Sequence, residues 1–271
     1  MWRIRIHSWG GFGSQLNALA LALHIRNKFK SRDIKIVIHT SGVTKRDLEI
    51  DSITPPNITL EVVDDYKLHV MNKQVQKSLR SLFAFLLEAL RIVVKPNDNS
   101  TLKFVRFWTL SLRGHYAYIT FDATVLNSLL HLLQIKSSEA ENAGNVCHYR
   151  LGDLLNLDKD FISPTNLKKT MAAINEADWT VFSDSQDAAQ EMLMNAAPTT
   201  LRCLFLSSAP LEIIRDSVNA LNFVGTNSKL SIWISIFRAH LGRKSTHMPE
   251  SLRKGLALVI TKENLKLINF Y

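Results

Sequence analysis

The segment His148-Tyr149-Arg150-Leu151-Gly152-Asp153 puts an imidazole, a guanidinium and a carboxylate within six residues, between an apolar run and a leucine-rich stretch. A guanidinium held at a strand end offers a planar fork of donors that suits a phosphate or diphosphate. Gly152 lets the backbone approach such a group closely. Asp153 is expected either to orient Arg150 or to act as a base, and a plain Arg-Asp surface pair in a turn is the alternative. A second group, Thr226-Asn227-Ser228, precedes Lys229-Leu230-Ser231-Ile232-Trp233. All three residues are good helix caps, and a helix start presents free N–H groups to an anion. The third is Gly10-Gly11-Phe12-Gly13, a tight turn that lets a ligand or a facing domain come near. It lacks the one, three and six glycine spacing of a dinucleotide fingerprint, and no Walker lysine follows it. His7, just ahead of that loop, is a candidate proton acceptor, with Asp153 and Asp184 as rivals.

These groups need strand ends to hold them. Ile4 and Ile6 alternate with Arg3, Arg5 and His7, which predicts a strand, and the glycines break it before a helix that Ser14 is expected to cap and that runs to Lys30. Further strands are predicted at Ile34–His39 and Ile58–Val63. Leu79–Val94 is predicted as a buried or interfacial helix, too short and too charged to span a bilayer. Lys95 to Ser100 is predicted as a turn or exposed loop, and Ser137 to Asn145 as a polar stretch carrying a domain boundary. Beyond it, strands at Val146–Tyr149, Trp179–Phe182, Leu201–Leu206 and Leu221–Val224 alternate with helices near Leu167–Ala177, from Gln186, near Leu211–Ala220 and from Ser228. That alternation predicts a parallel sheet covered on both faces, with ligands beyond the carboxyl ends of its strands. His148 and Arg150, Ser183-Asp184, Ser207-Ser208 and Thr226 to Ser228 would share that edge.

Composition narrows the classes. A chain of 271 residues, 46% hydrophobic and 21% charged, is neither disordered nor disulfide-stapled. Its two cysteines, Cys147 and Cys203, fall in strand-like runs, so buried thiols in a reducing compartment are expected and a cysteine metal site is excluded by count. Residues 1–143 carry 19 Lys and Arg against 12 Asp and Glu, most of the net +9, which points to an anionic partner. The basic residues are scattered and no groove-reading signature accompanies them, so no nucleic-acid partner is expected. The first six residues alternate charged and apolar side chains rather than forming a secretory core, so a cytoplasmic location is expected.

Four motifs in order make the chain similar to a known family, the bacterial and animal alpha-1,2-fucosyltransferases and their relatives. Gly10-Gly11-Phe12-Gly13-Ser14-Gln15-Leu16 resembles that family's Gly-Gly-Leu-Gly-Asn-Gln-Leu loop. His148 to Asp153 resembles its His-x-Arg-Arg-Gly-Asp motif, with Leu151 in place of the second Arg. Val181-Phe182-Ser183-Asp184 matches Val-Phe-Ser-Asp, and Thr226-Asn227-Ser228-Lys229-Leu230-Ser231-Ile232-Trp233 is similar to Ser-Asn-Ser-x-x-Ser-x-Trp. The resemblance implies an α/β chain of GT-B type, two Rossmann-like domains facing each other across a cleft. Residues 1–143 would be the acceptor side and 144–271 the donor-binding side. It implies a metal-independent glycosyltransferase with no cofactor, its nucleotide sugar or sugar diphosphate being a substrate. Arg150, Asp153 and His7 would be catalytic. Gly10, Gly11, Gly13, His148, Ser183, Asp184, Thr226, Asn227 and Ser228 would hold the donor. The partners implied are a phosphate-activated sugar donor and a glycan or lipid-linked acceptor, and the basic first half adds an expected peripheral association at the inner face of the plasma membrane. Glu61-Val62-Val63-Asp64-Asp65 is similar to the paired acids of phosphoribosyltransferases and keeps phosphoribosyl pyrophosphate open as a donor.

Overall fold

Residues 3–40, 48–63, 80–136, 143–156, 162–174, 178–196 and 201–271 are those that the computed structural model describes. The chain divides into two units, Met1–Leu132 and Leu133–Tyr271. The division falls ahead of the polar stretch expected to carry it. Leu133 and Ile135 are buried, and the Leu133 carbonyl accepts a hydrogen bond from Arg215 Nε of the second unit at 2.8 Å.

In the first unit, strands β1 (Arg3–Trp9), β2 (Asp33–His39), β3 (Ile58–Val63), β4 (Val93–Val94) and β5 (Ser111–Arg113) form a parallel sheet in the order β3-β2-β1-β5-β4. Its helices are α1 (Phe12–Lys28), α2 (Arg80–Ala89), α3 (Asn99–Leu102) and α4 (Ala123–Leu132). The alternation in β1 does what period two dictates: Ile4 and Ile6 are buried while Arg3 and Arg5 are exposed. Gly10 turns the chain at φ +104, and Gly11, in extended conformation, is the helix cap. Ser14 is therefore the third residue of α1 and not its cap. The helix needs no polar cap because Leu16, Leu19 and Ile25 bury its length against β1, β2 and α4.

The run Leu79–Val94 is not one helix. It stops at Ala89, where Ile92 N–H donates to the Leu87 carbonyl and Arg91 N–H to the Glu88 carbonyl, with Arg91 at φ +59. This is the paired closure of a Schellman motif with arginine where glycine is usual. Phe85, Leu86 and Leu90 are exposed rather than buried. The predicted turn after Lys95 becomes the start of α3, capped reciprocally by Asp98 and Thr101.

In the second unit β6 (Ala143–His148), β7 (Asp178–Phe182), β8 (Arg202–Leu206), β9 (Ala220–Gly225), β10 (Thr246–Met248) and β11 (Ile268–Phe270) form a parallel sheet in the order β11-β10-β9-β6-β7-β8. Its helices are α5 (Gly152–Asn156), α6 (Pro164–Ala173), α7 (Gln186–Asn195), α8 (Pro210–Asn219), α9 (Lys229–His240), α10 (Arg253–Val259) and α11 (Lys262–Leu265). The chain winds outward from β6 to β8, returns to the other side of β6, and winds outward again to β11. This is the strand order of the doubly wound nucleotide-binding fold, and its direction reverses between β6 and β9.

Alternation along β6 feeds both faces. Cys147, with Tyr149 beyond it, packs on Leu167 and Met171 of α6 and Ala189 and Leu193 of α7, while His148 points to α9 on the opposite side. Asn145, expected in a linker, is buried in β6. Its amide donates to the Asp178 carbonyl at 2.8 Å and its oxygen accepts from Asn222 at 2.7 Å, a polar rung across β7, β6 and β9. Behind the sheet Arg238 is fully buried. Its guanidinium donates to the carbonyls of Ser217, Ala220 and Lys244 and to Thr246 Oγ1, fixing α9 to the start of β9 and to β10. Among the described residues no helix is long and apolar enough to cross a membrane.

Candidate functional site

The reversal between β6 and β9 brings the two strongest sequence motifs side by side. Thr226, one residue beyond β9, donates its hydroxyl to the His148 carbonyl at 2.9 Å and accepts the Arg150 N–H at 3.0 Å, so one side chain ties the two strand ends together. Ser231, in the first turn of α9, stands 2.7 Å from His148 Nδ1 and accepts the Thr226 N–H at 3.2 Å. Ser228 caps α9 by accepting the Ser231 N–H at 3.0 Å. The start of α9 is thereby locked against the loop that carries Arg150.

Arg150 Nε meets Asp184 Oδ2 at 2.9 Å, and both side chains keep roughly a third of their surface open, 27% and 34%. The other Asp184 oxygen accepts the N–H groups of Leu151 and Gly152 at 3.0 and 2.9 Å. Asp184 thus orients Arg150, and its carboxylate also holds the turn between β6 and α5. Gly152 is required for this. A Cβ there would run into the Asp184 carboxylate, whose Cγ would stand 2.7 Å away. Gly152 thus admits a carboxylate of the chain itself, and its N–H is spent on that contact. Asp153 sits on α5, but its side chain lies outside the described residues.

Burial, helped by the Arg150 charge and opposed by Asp184, lowers the His148 imidazole to a pKa of about 4. His148 is therefore neutral at pH 7 and acts as a packed hydrogen-bonding strut between β6 and α9. Ser183 is buried and accepts the Ser185 N–H at 3.1 Å, shaping the turn that presents Asp184. Asn227 is exposed at the mouth of the site. Leu151, where the resembled family has a second Arg, is fully buried beside Leu167 and Met171. An arginine at this position would have to lie in the apolar core.

Two residues of this site stood within the quoted motif without being singled out as site residues. Ser231 connects His148, Thr226 and Ser228, and its signal was the Ser-x-x-Ser spacing of a cap. Lys229, the first residue of α9, has its ammonium pKa lowered by burial. It stands where the helix already favours an anion.

The first unit holds the remaining candidates. His7 and His39 lie at the ends of neighbouring strands, with Nδ1 and Nε2 2.8 Å apart, and both rings stack with Trp9. Burial, with Arg113, His39 and Arg5 adding to it, brings His7 down to a pKa of about 4. A neutral imidazole of that basicity is a weak proton acceptor at pH 7. Gly10 accepts from Gln15 Nε2 at 3.3 Å, Gly11 caps α1, and Gly13 is buried within it. Glu61 pairs with Lys35 at 2.7 Å, while Asp64 and Asp65 lie outside the described residues. Cys147 is a buried free thiol and Cys203 a half-buried one.

No family model matches the chain, and no curated protein matches its sequence. Among solved structures it is similar to the E. coli heptosyltransferase WaaC with ADP, at 12% identity and a TM-score of 0.47, covering 99% of this chain and 92% of that one. It is similar also to the E. coli ADP-heptose lps heptosyltransferase II, at 10% identity and 0.46, covering 100% and 90%. POFUT1 in complex with GDP gives 12% identity and 0.40, covering 91% and 98%.

Proposed function

We propose that this chain is a glycosyltransferase that binds the diphosphate of a nucleotide-activated sugar at the β6–β9 reversal and needs no metal to do so. One observation carries the reading: Arg150 and the capped start of α9 are joined through Thr226 at the crevice where doubly wound sheets take their ligands. As the bond from sugar to phosphate breaks, negative charge grows on the leaving diphosphate. A guanidinium already oriented by Asp184, with the positive end of α9 beside it, stabilises that charge without rearranging. Lys229, the first residue of α9, adds a second cationic side chain to the site. The motif resemblance makes fucose the first sugar to test.

The acceptor is a surface-polysaccharide or lipid-linked glycan presented at a membrane. An exposed cluster in the first unit supports this part. Phe85, Leu86, Leu90, Phe104, Phe107 and Trp108 are all exposed. Trp108 Nε1 donates to the Leu90 carbonyl at 3.0 Å, and Arg91 lies 4.1 Å over the Phe104 ring. Arg106 and Lys103 are part of the same loop. Aromatic and leucine side chains bordered by cations are suited to an anionic lipid surface.

The test is thermal unfolding with GDP-, UDP-, ADP-, dTDP- and CMP-sugars and with phosphoribosyl pyrophosphate. A ligand at a hundred times its Kd stabilises by about 2.7 kcal/mol. A shift with a nucleoside-diphosphate sugar that is lost in Arg150→Ala is expected. A shift with phosphoribosyl pyrophosphate alone would replace the nucleotide sugar by a phosphoribosyl donor, and none with any compound would overturn the reading.

A further inference from the structure

One face of the first unit's sheet breaks the rule that strands flanked by helices are apolar on both sides. On that face β1 contributes Arg3, Arg5 and His7, and β5 contributes Ser111 and Arg113, with Arg5 beside Ser111 and His7 beside Arg113 in register. Together with Leu110 these residues line a cavity of 520 Å³, within the range of small-molecule sites. Arg3 and Arg5 project to the same side about 6.6 Å apart along the strand. Among the described residues neither they nor Arg113 has a carboxylate within ion-pair distance. Ser111 Oγ, at the same cavity, has no hydrogen-bond partner. On neighbouring β2, Lys35 stands beside Arg5 and Asp33 beside Arg3, and on β3 Glu61 is already taken by Lys35. Among the described residues four cations thus face two carboxylates, and His7 next to them is uncharged at pH 7 because burial and the cations Arg113 and Arg5 disfavour its proton.

We propose that this cavity is a second oxyanion site, separate from the Arg150 site, that binds a phosphate group through Arg3, Arg5, Arg113 and Ser111. Charge decides between phosphate and carboxylate. Among the described residues the face carries two positive charges in excess, and a phosphate monoester brings about −1.5 to −2 at pH 7, whereas a carboxylate would leave one cation unbalanced. Guanidinium groups give paired donors that match phosphate oxygens, and the Ser111 hydroxyl supplies one more. The phosphate can belong to a soluble ester or to a lipid headgroup, and both present the same oxygens.

The site is tested in the full chain carrying Arg150→Ala, which weakens the other anion site. Calorimetry is run with inorganic phosphate, glycerol 3-phosphate and acetate, and flotation with phosphatidic-acid vesicles. The His7 imidazole resonances are followed by NMR, because an anion among the arginines relieves their repulsion and raises the pH at which His7 titrates. Expected are phosphate and glycerol phosphate binding, an upward His7 shift, and at least tenfold weaker binding in Arg5→Gln and Arg113→Gln. Both side chains are exposed, so these variants fold. Vesicle binding without binding of the soluble esters assigns the site to lipid headgroups. Acetate binding as tightly as phosphate, unchanged phosphate affinity in both glutamine variants, or His7 resonances that phosphate does not move would overturn the proposal.

Discussion

Arg150→Ala separates a ligand-binding guanidinium from a surface ion pair more cleanly than any other substitution in this chain. Structurally the change is small. Asp184 loses its Arg150 Nε contact at 2.9 Å but keeps both backbone N–H groups on its other oxygen, and its partly open carboxylate takes water in exchange. Part-exposed ion pairs contribute under about 1 kcal/mol, so thermal unfolding should move by no more than about 4 °C. The effect on a bound diphosphate is larger, because a hydrogen bond to a charged group contributes about 1.5–3 kcal/mol. That corresponds to a Kd raised about 10- to 140-fold for the nucleoside diphosphate, measured by titration calorimetry. Arg150→Lys should regain part of this, since an ammonium keeps the charge and loses the fork. Turnover with the nucleotide sugar should fall further than affinity, because the leaving group gains charge as its bond breaks. A folded Arg150→Ala protein that binds the diphosphate as the wild type does would refute the assignment of Arg150, and with it the reason for placing the donor at β6 and β9.

Gly152→Ala should weaken diphosphate binding at least tenfold although Arg150 is untouched, since the new methyl displaces the Asp184 carboxylate that orients it; calorimetry with wild-type affinity would show that Asp184 plays no positioning role. His7 and His148 both titrate lower when folded than their ordinary 6.5, so the unfolded chain binds more protons between pH 6.5 and 4. Stability is therefore full above about pH 6.5 and lost as pH falls, by up to about 1.4 kcal/mol per pH unit for each histidine, which urea unfolding at pH 7.5, 6 and 5 measures. His148→Gln should remove the His148 share of that dependence and leave the His7 share. With Arg150 and α9 holding the diphosphate, EDTA should leave turnover intact, and activity abolished by chelator and restored by magnesium would refute that arrangement. Flotation with anionic vesicles should exceed that with neutral ones at low salt and drop in a Phe104→Ser, Trp108→Ser double variant; equal flotation on both lipids would remove the membrane surface.

The sequence by itself determined four strands of the second unit and the helices that alternate with them, while β10 and β11, only three residues each, went unpredicted. Its apolar runs at 146–149, 179–182, 201–206 and 221–224 are short, rich in β-branched and aromatic residues, and separated by helical spacings, and β6 to β9 form within a few residues of each. It also picked out Arg150, Thr226 and Ser228, because a charged or capping residue directly after an apolar run has few places to go except the strand's carboxyl end. What only the tertiary structure decided is which of these groups meet. Asp184 reaches Arg150, and Ser231 reaches His148, across more than thirty and eighty residues of chain. Such pairings follow from strand order, which local spacing does not encode. Asn145 read as linker because a polar side chain gives no sign of its partners, and it takes the Asp178 carbonyl of β7 and Asn222 of β9 to make its burial tolerable. The helix expected over Leu79–Val94 ends early because Arg91 takes a left-handed conformation against Phe104, a contact that helix propensity and apolar spacing cannot see. The arginines of β1 stood in plain view as the polar half of an alternation. Period two makes them a solvated edge in any single strand, and it took β5, arriving from a hundred residues away with Arg113 and Ser111, to turn that face into a cavity.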